Sequence, residues 1–139
     1  MAHGRQIMTG SEARAFLEEV FDAVSAPSAT PEVIQRYFTD DYVQIVNTTF
    51  LHRTEFETHL ATLRSDFRSF SFDFTTVIAE GNRIADAHLT TATRKNGRQM
   101  KIEFIGVYTL RDGRIAKYEA LSCLIEGAEE ERDYGSRIR

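Results

Sequence analysis

Residues 84–125 read IADAHLTTATRKNGRQMKIEFIGVYTLRDGRIAKYEALSCLI, and this stretch decides the fold. β-Branched and aromatic residues recur through Ile84–Arg94, Met100–Leu110 and Ile115–Ile125 as they do in strands. Asn96-Gly97 and Asp112-Gly113 stand between them. Such dipeptides close tight hairpins because both positions accept a positive φ. The stretch is therefore an antiparallel meander of three long strands.

The two turns also predict a register. With two-residue loops, Lys95 faces Arg98 and Arg111 faces Arg114. Leu89 then meets Phe104, His88 meets Ile105, Gly106 meets Glu119, Phe104 meets Leu121 and Ile102 meets Cys123. Side chains alternate across a sheet. One face carries Leu89, Thr91, Ile102, Phe104, Gly106, Glu119, Leu121 and Cys123; the other carries His88, Thr90, Glu103, Ile105, Val107, Tyr118, Ala120 and Ser122. The first is more apolar and is expected under the helices, with Cys123 a small core residue. His88, Thr90 and Glu103 are expected at an outer interface. A single bulge would exchange the partners.

Working outward, Phe70, Phe72 and Phe74 alternate with Ser71, Asp73 and Thr75 in a fourth long strand, ended by Glu80-Gly81-Asn82. Before it, Ala13, Phe16, Leu17, Val20, Phe21 and Val24 form one helical stripe, opened by a capping box of Thr9 and Glu12. Ser25–Ala29 breaks that helix. Thr30-Pro31 starts a short second one, with Thr as N-cap and Pro in the first turn. Tyr42–Val46 reads as a strand, and residues 47–53 as a connector with a short pairing. Thr54 and Glu57 are expected to cap a third helix running to about Phe67, with the stripe Phe56, Leu60, Leu63 and Phe67 and with His59 beside it. Residues 1–10 read as a loose arm, and residues 126–139 as a charged, frayed tail. The expected fold is α+β: a single domain over residues 11–125, in which three N-terminal helices pack on a curved antiparallel sheet.

Length and charge narrow the function classes. A chain of 139 residues fits one domain and can bury one core without staples. A net charge of −4 disfavours nucleic acid as a partner. No apolar run is long enough for a membrane span. MAHGRQIMTG holds no signal-peptide core. Cys123 is the only cysteine, so a reducing, cytoplasmic setting is expected. No phosphate loop, nucleophile elbow or dinucleotide fingerprint occurs, and His52, His59 and His88 match no metal-ligand spacing. Neither a metal nor a cofactor is expected.

The order of elements resembles the nuclear transport factor 2-like superfamily, in its SnoaL-like and ketosteroid-isomerase-like branch. The pieces that carry the likeness are Phe16-Leu17 with Val20-Phe21, Tyr37-Phe38-Thr39-Asp40-Asp41-Tyr42-Val43, Thr54-Glu55-Phe56 and Leu110-Arg111-Asp112-Gly113-Arg114-Ile115. The resemblance covers roughly Ser11–Ile125. It implies a cone whose concave sheet and helices enclose a pocket, and a homodimer through the outer sheet face. The apolar run Phe104–Tyr108, buried on both sides by its pattern, points to the same homodimer. The chemistry of the resembled isomerases does not carry over. Their carboxylate base corresponds to Val46, their acidic oxyanion donor to Gly106 and their tyrosine to Phe21. The base of SnoaL-like cyclases falls near Glu119 and Cys123, where the pattern of an aromatic residue followed by an acid is missing.

Two residues are candidates for acid–base chemistry. Glu119, on the apolar face opposite Gly106, would lose solvation and gain basicity; the alternatives are a pair with Lys117 or an arginine, or a register displaced by one. His59 looks into the cone and titrates near neutrality; the alternative is a boundary histidine bonded to backbone. Gln44 is a candidate pocket-floor donor. The expected ligand-binding residues are Tyr42, Gln44, Val46, Phe56, Leu63, Leu89, Phe104 and Leu121. The expected function is that of a SnoaL-like small-molecule pocket protein acting on a mostly apolar ligand. Its chemistry would be cofactor-free proton transfer of isomerase, cyclase or dehydratase type, or epoxide opening. The other reading is a non-catalytic ligand-binding or dimerisation module.

Overall fold

The computed structural model describes residues 8–138. Most of the loose arm expected at residues 1–10 lies outside the described residues. Helix α1 spans Gly10–Ser25, with Thr9 and Glu12 in the expected capping box. Helix α2, Pro31–Tyr37, is capped by Thr30, whose hydroxyl accepts from the Val33 N–H. Strand β1 (Phe38–Val46) turns through Asn47-Thr48 into the short β2 (Thr49–His52). Helix α3 covers Arg53–Asp66. It starts earlier than Thr54 and Glu57 suggest: Glu55 accepts from the His52 N–H at 2.9 Å, while Glu57 pairs with Arg53. Phe67 is not on the α3 stripe but begins β3 (Phe67–Glu80), which is followed by β4 (Arg83–Arg94), β5 (Gln99–Arg111) and β6 (Arg114–Glu126).

The six strands form one sheet in the order β2-β1-β6-β5-β4-β3. All neighbours are antiparallel except β1 and β6, which run parallel. Bulges in the β3–β4 and β5–β6 ladders bend these long strands, so the sheet curls around the helices as the expected cone. The concave face and the stripes of α1 and α3 share one core, built from Leu17, Val20, Tyr42, Phe56, Phe67, Ile84, Ile102 and Ile115 among others.

The expected register fails at two places, and each failure reverses a face. The β4–β5 loop has three residues, Lys95–Gly97, not two. The Gly97 N–H bonds the Arg94 carbonyl, and Gly97 takes φ +92°, so Arg94 faces Arg98 and His88 meets Phe104. Asp112-Gly113 does form a two-residue turn with Arg111 opposite Arg114. An irregularity just past that turn then shifts the pairing by one residue, so Gly106 meets Ala120 and Phe104 meets Ser122. Ile102, Phe104 and Gly106 stay on the inner face as expected. His88, Thr90 and Tyr118 move inside and are buried. Leu89, Glu119, Leu121 and Cys123 move to the outer face, and Cys123 is exposed rather than a core residue.

The C-terminal segment also differs from the frayed tail expected. Short 3-10 turns at Glu129–Glu131 and Tyr134–Ser136 fold back over the cone, burying Glu131, Tyr134 and Gly135. Arg137 fastens this segment to Asp66 of α3 at 3.0 Å, and Glu131 pairs with Arg94 of β4. A charged stretch with little apolar content is held down by ion pairs and one aromatic anchor, which composition alone does not reveal.

Candidate functional site

The cone encloses a cavity of about 110 Å³. That is close to the ~150 Å³ of an apolar protein cavity that holds benzene. Its walls come from α1 (Val20, Phe21), α3 (Phe56, His59, Leu63), β1 (Tyr42, Gln44, Val46) and the inner face of β4 to β6 (His88, Phe104, Tyr118). Of the expected ligand-binding residues, Tyr42, Gln44, Val46, Phe56, Leu63 and Phe104 line it. Leu89 and Leu121 do not, because both point to the outer face.

A polar group lies on the inner face of the central strands. Asp86 and His88 are two apart on β4, so both side chains project to the same side. His88 Nδ1 lies 2.6 Å from Asp86 Oδ2, and both residues are almost wholly buried. A carboxylate accepts, so the imidazole donates from Nδ1, and in the neutral ring this tautomer leaves the lone pair on Nε2. Among the described residues, Nε2 has no hydrogen-bond partner. The ring is held edge-on to Phe21 at 5.0 Å and stacked on Phe104 at 5.2 Å.

Gly106 sits between Asp86 and Ala120 in the ladder. A Cβ there would fall 2.9 Å from the ring of Tyr118 and 2.6 Å from the Glu119 carbonyl. The missing side chain therefore gives room to the Tyr118 ring, which stacks on Tyr108 at 4.4 Å. Burial pushes both tyrosine hydroxyls well above their ordinary range, and the charge of Asp86 adds to this. Both phenols hold their protons and are available as donors. The Tyr108 and Tyr118 hydroxyls and Asp86 Oδ1 are buried and lie close together, yet none meets another at hydrogen-bonding geometry. An unmatched buried polar atom costs about 1–3 kcal/mol, so each of the three calls for a partner such as a water or the polar end of a ligand.

The residues expected to do chemistry are placed differently. Glu119 is exposed on the outer face, 3.5 Å from Lys117, which is the pairing weighed against its functional reading. His59 does line the cavity, and its Nδ1 donates to the Arg137 carbonyl at 2.7 Å. Burial lowers its pKa to about 4, so it is neutral near pH 7 and a weak base. The structure does not bring His59 and Glu119 together. Gln44 is already engaged: its carbonyl accepts from the Tyr42 hydroxyl at 3.1 Å and its amide donates to the Gly135 carbonyl at 2.7 Å. Asp86 went unread in the sequence. Its signal was an Asp-x-His spaced by two within a central strand. Among the described residues no group of three or more His, Cys, Asp or Glu side chains is placed to hold a metal ion.

A curved, unclosed sheet wrapped by helices around a mostly aromatic cavity defines a cone-shaped pocket protein. The chain belongs to the SnoaL-like domain family, whose model matches residues 11–118. It is similar to an uncharacterised protein of Schizosaccharomyces pombe, at 28% identity over 90% of this chain and 96% of that one. In fold it is similar to AclR of Streptomyces galilaeus, assigned as a hydroxylase, with a TM-score of 0.70 at 14% identity over 93% of this chain and 88% of that one. It also resembles an epoxide hydrolase of the LEH-like type from M. tuberculosis, with a TM-score of 0.66 at 16% identity over 82% and 84% of the two chains. Among the described residues no helix is long and apolar enough to cross a membrane.

Proposed function

We propose that this SnoaL-like protein is an enzyme that moves a proton on a small, mostly apolar molecule at the carbon next to a carbonyl group. The observation that carries the reading is the buried Asp86–His88 pair beside the Tyr108 and Tyr118 hydroxyls. His88 Nε2 takes a proton from the carbon next to the carbonyl. Asp86 holds the imidazole in the working tautomer and stabilises the imidazolium that forms. The Tyr108 and Tyr118 hydroxyls donate to the oxygen as it gains negative charge. In an unsaturated ketone, return of the proton from His88 to the far carbon of the conjugated enolate completes an isomerisation; in a ligand with a second carbonyl, attack of the carbanion there forms the ring bond, and the new alkoxide takes the proton back from His88 to complete a cyclisation. The mainly apolar walls exclude water, which strengthens each of these interactions.

The test is proton exchange. Cyclohexanone, acetophenone and cyclohex-2-enone are incubated with the protein in D2O, and loss of the α-proton signals is followed by NMR. Exchange above the buffer rate is expected for at least one of them, and His88→Gln should reduce it by about 10²–10⁴-fold. Binding of the ketones with exchange no faster than buffer would instead favour the non-catalytic carrier reading.

The outer sheet face fits a second copy of the chain. Ile78, Ile105 and Leu121 are 61%, 62% and 68% exposed there, and Ile105 faces Leu121 across the β5–β6 ladder. An apolar patch of this kind on a sheet is what an isologous dimer covers. The exposed thiol of Cys123 on the same face suits a reducing, cytoplasmic compartment.

A further inference from the structure

The mouth of the cavity is marked by the lining residues that remain partly exposed: Phe21, Ser25, Leu60, Arg64, Phe70 and Phe72. Five of these are apolar or a small hydroxyl. Among the described residues, Arg64 is the one permanently charged side chain that lines the cavity. Its sequence position explains the placement: it follows Leu60 by one turn on the cavity face of α3.

Arg64 differs from the other arginines drawn inward. Arg53 pairs with Glu57 at 2.9 Å, Arg137 with Asp66 at 3.0 Å, and Arg94 with Glu131. Arg64 meets no carboxylate among the described residues; its hydrogen bond goes from Nη1 to the Val24 carbonyl at 3.1 Å. That contact caps the C-terminal turn of α1 and accounts for one of five N–H donors. Arg14 and Arg114 likewise rest on carbonyls, but neither lines the cavity. Burial lowers the pKa of Arg64, the mark of a cation that has lost water without gaining an anion.

Arg64 and His88 line the same cavity. Val24 lies one turn beyond Phe21 on α1, a rise of about 5 Å, and the Phe21 ring is 5.0 Å from that of His88. Phe21 therefore links the two: its ring packs on His88, and its helix carries the Val24 carbonyl that Arg64 holds.

We infer that the ligand is an organic acid, whose carboxylate pairs with Arg64 at the mouth while its apolar body packs on Phe21 and Phe72. The orientation of its reactive end rests on the proton-transfer reading of His88; the carboxylate contact does not. A charge-assisted pair of this kind separates acids from their neutral amides by about tenfold or more in affinity.

Isothermal titration with 3-phenylpropionate and 3-phenylpropanamide at pH 7.5 tests this on the whole chain. The acid is expected to bind at least about tenfold tighter than the amide. Arg64→Gln should abolish that difference, and amide binding that stays measurable in the variant reports that the cavity is intact. Arg64→Lys should keep part of the preference. Added salt should reduce the preference in the wild type, because the mouth is open to solvent. Equal affinities for acid and amide, no measurable binding of the acid, or a preference that survives in Arg64→Gln would each overturn the inference. His88→Gln separates the two proposals: it should lose exchange while keeping the preference for the acid.

Discussion

The two faces of one sheet carry opposite kinds of side chain on the same strands. Inside, β4 to β6 present Asp86, His88, Tyr108 and Tyr118, polar groups withdrawn from water and short of partners. Outside, one residue away along each strand, they present Leu89, Glu119 and Leu121, with Ile105 facing Leu121 across the ladder. The contrast is a local departure from the usual arrangement of apolar inside and polar outside, set within an inner face that is otherwise apolar. Folding alone does not favour it, since buried polar groups cost stability and exposed apolar patches invite association. Both departures make physical sense if each face awaits something the isolated chain lacks: a polar ligand end inside and a second subunit outside.

The comparison can be tested by changing one face at a time. The largest effect is expected inside. His88→Gln removes the lone pair at Nε2 and should lower α-proton exchange by about 10²–10⁴-fold, measured by NMR, with little change in the secondary structure seen by circular dichroism. Next comes the pH dependence of stability. The pKa of His59 falls to about 4 in the folded chain from an ordinary value near 6.5. Unfolded chains thus bind more protons between those values. The stability associated with neutral His59 is complete above pH 6.5 and is lost as pH falls towards 4, by up to about 3 kcal/mol. Urea unfolding at pH 7.5 and pH 5 should show the loss, and His59→Gln should flatten it. An unchanged slope in that variant would assign the acid sensitivity to other groups.

A smaller effect is expected where the two faces meet the backbone. Gly106→Ala would place a Cβ 2.6 Å from the Glu119 carbonyl and 2.9 Å from the Tyr118 ring. The strands must then shift, at a cost of about 1–3 kcal/mol, and the Tyr118 hydroxyl moves away from Asp86. A lowered urea midpoint with weakened exchange is expected. The smallest effect on a single subunit is expected outside. Leu121→Lys should convert a dimer to a monomer by analytical ultracentrifugation while leaving exchange per subunit unchanged. Loss of exchange in that monomer would mean that the inner face depends on the outer contact.

Much of the architecture was legible in the residues. The stripe of α1, the Thr9 and Thr30 caps, the Asp112-Gly113 turn and the alternation of Phe70, Phe72 and Phe74 each state a local preference that the tertiary structure keeps. Gly106 was rightly read as a space, but the wrong residue was assigned to fill it: Tyr118 enters, not Glu119. Asp86 was overlooked because nothing local distinguishes a buried carboxylate from an exposed one. The positions where the resembled isomerases keep acids, Val46 and Gly106, led away from it, although Asp86 lies directly opposite Gly106 in the ladder. Arg64 was passed over for the same reason: a charged residue near a helix C-terminus usually faces water.

What the sequence determined by itself is the order of elements, their type and their approximate ends, because periodicity, caps and turn residues act within a few positions. What only the tertiary structure decided is which face of each strand looks inward. A period of two describes both faces equally well, and the choice between them rests on a third residue in the Lys95–Gly97 loop and on one irregularity beyond the Asp112-Gly113 turn. Each shifts the pairing by a single position, and a single position exchanges every side chain between cavity and surface. The paired strands and the core they close over settle that shift together, so the site at Asp86 and His88 became visible only once the sheet was assembled.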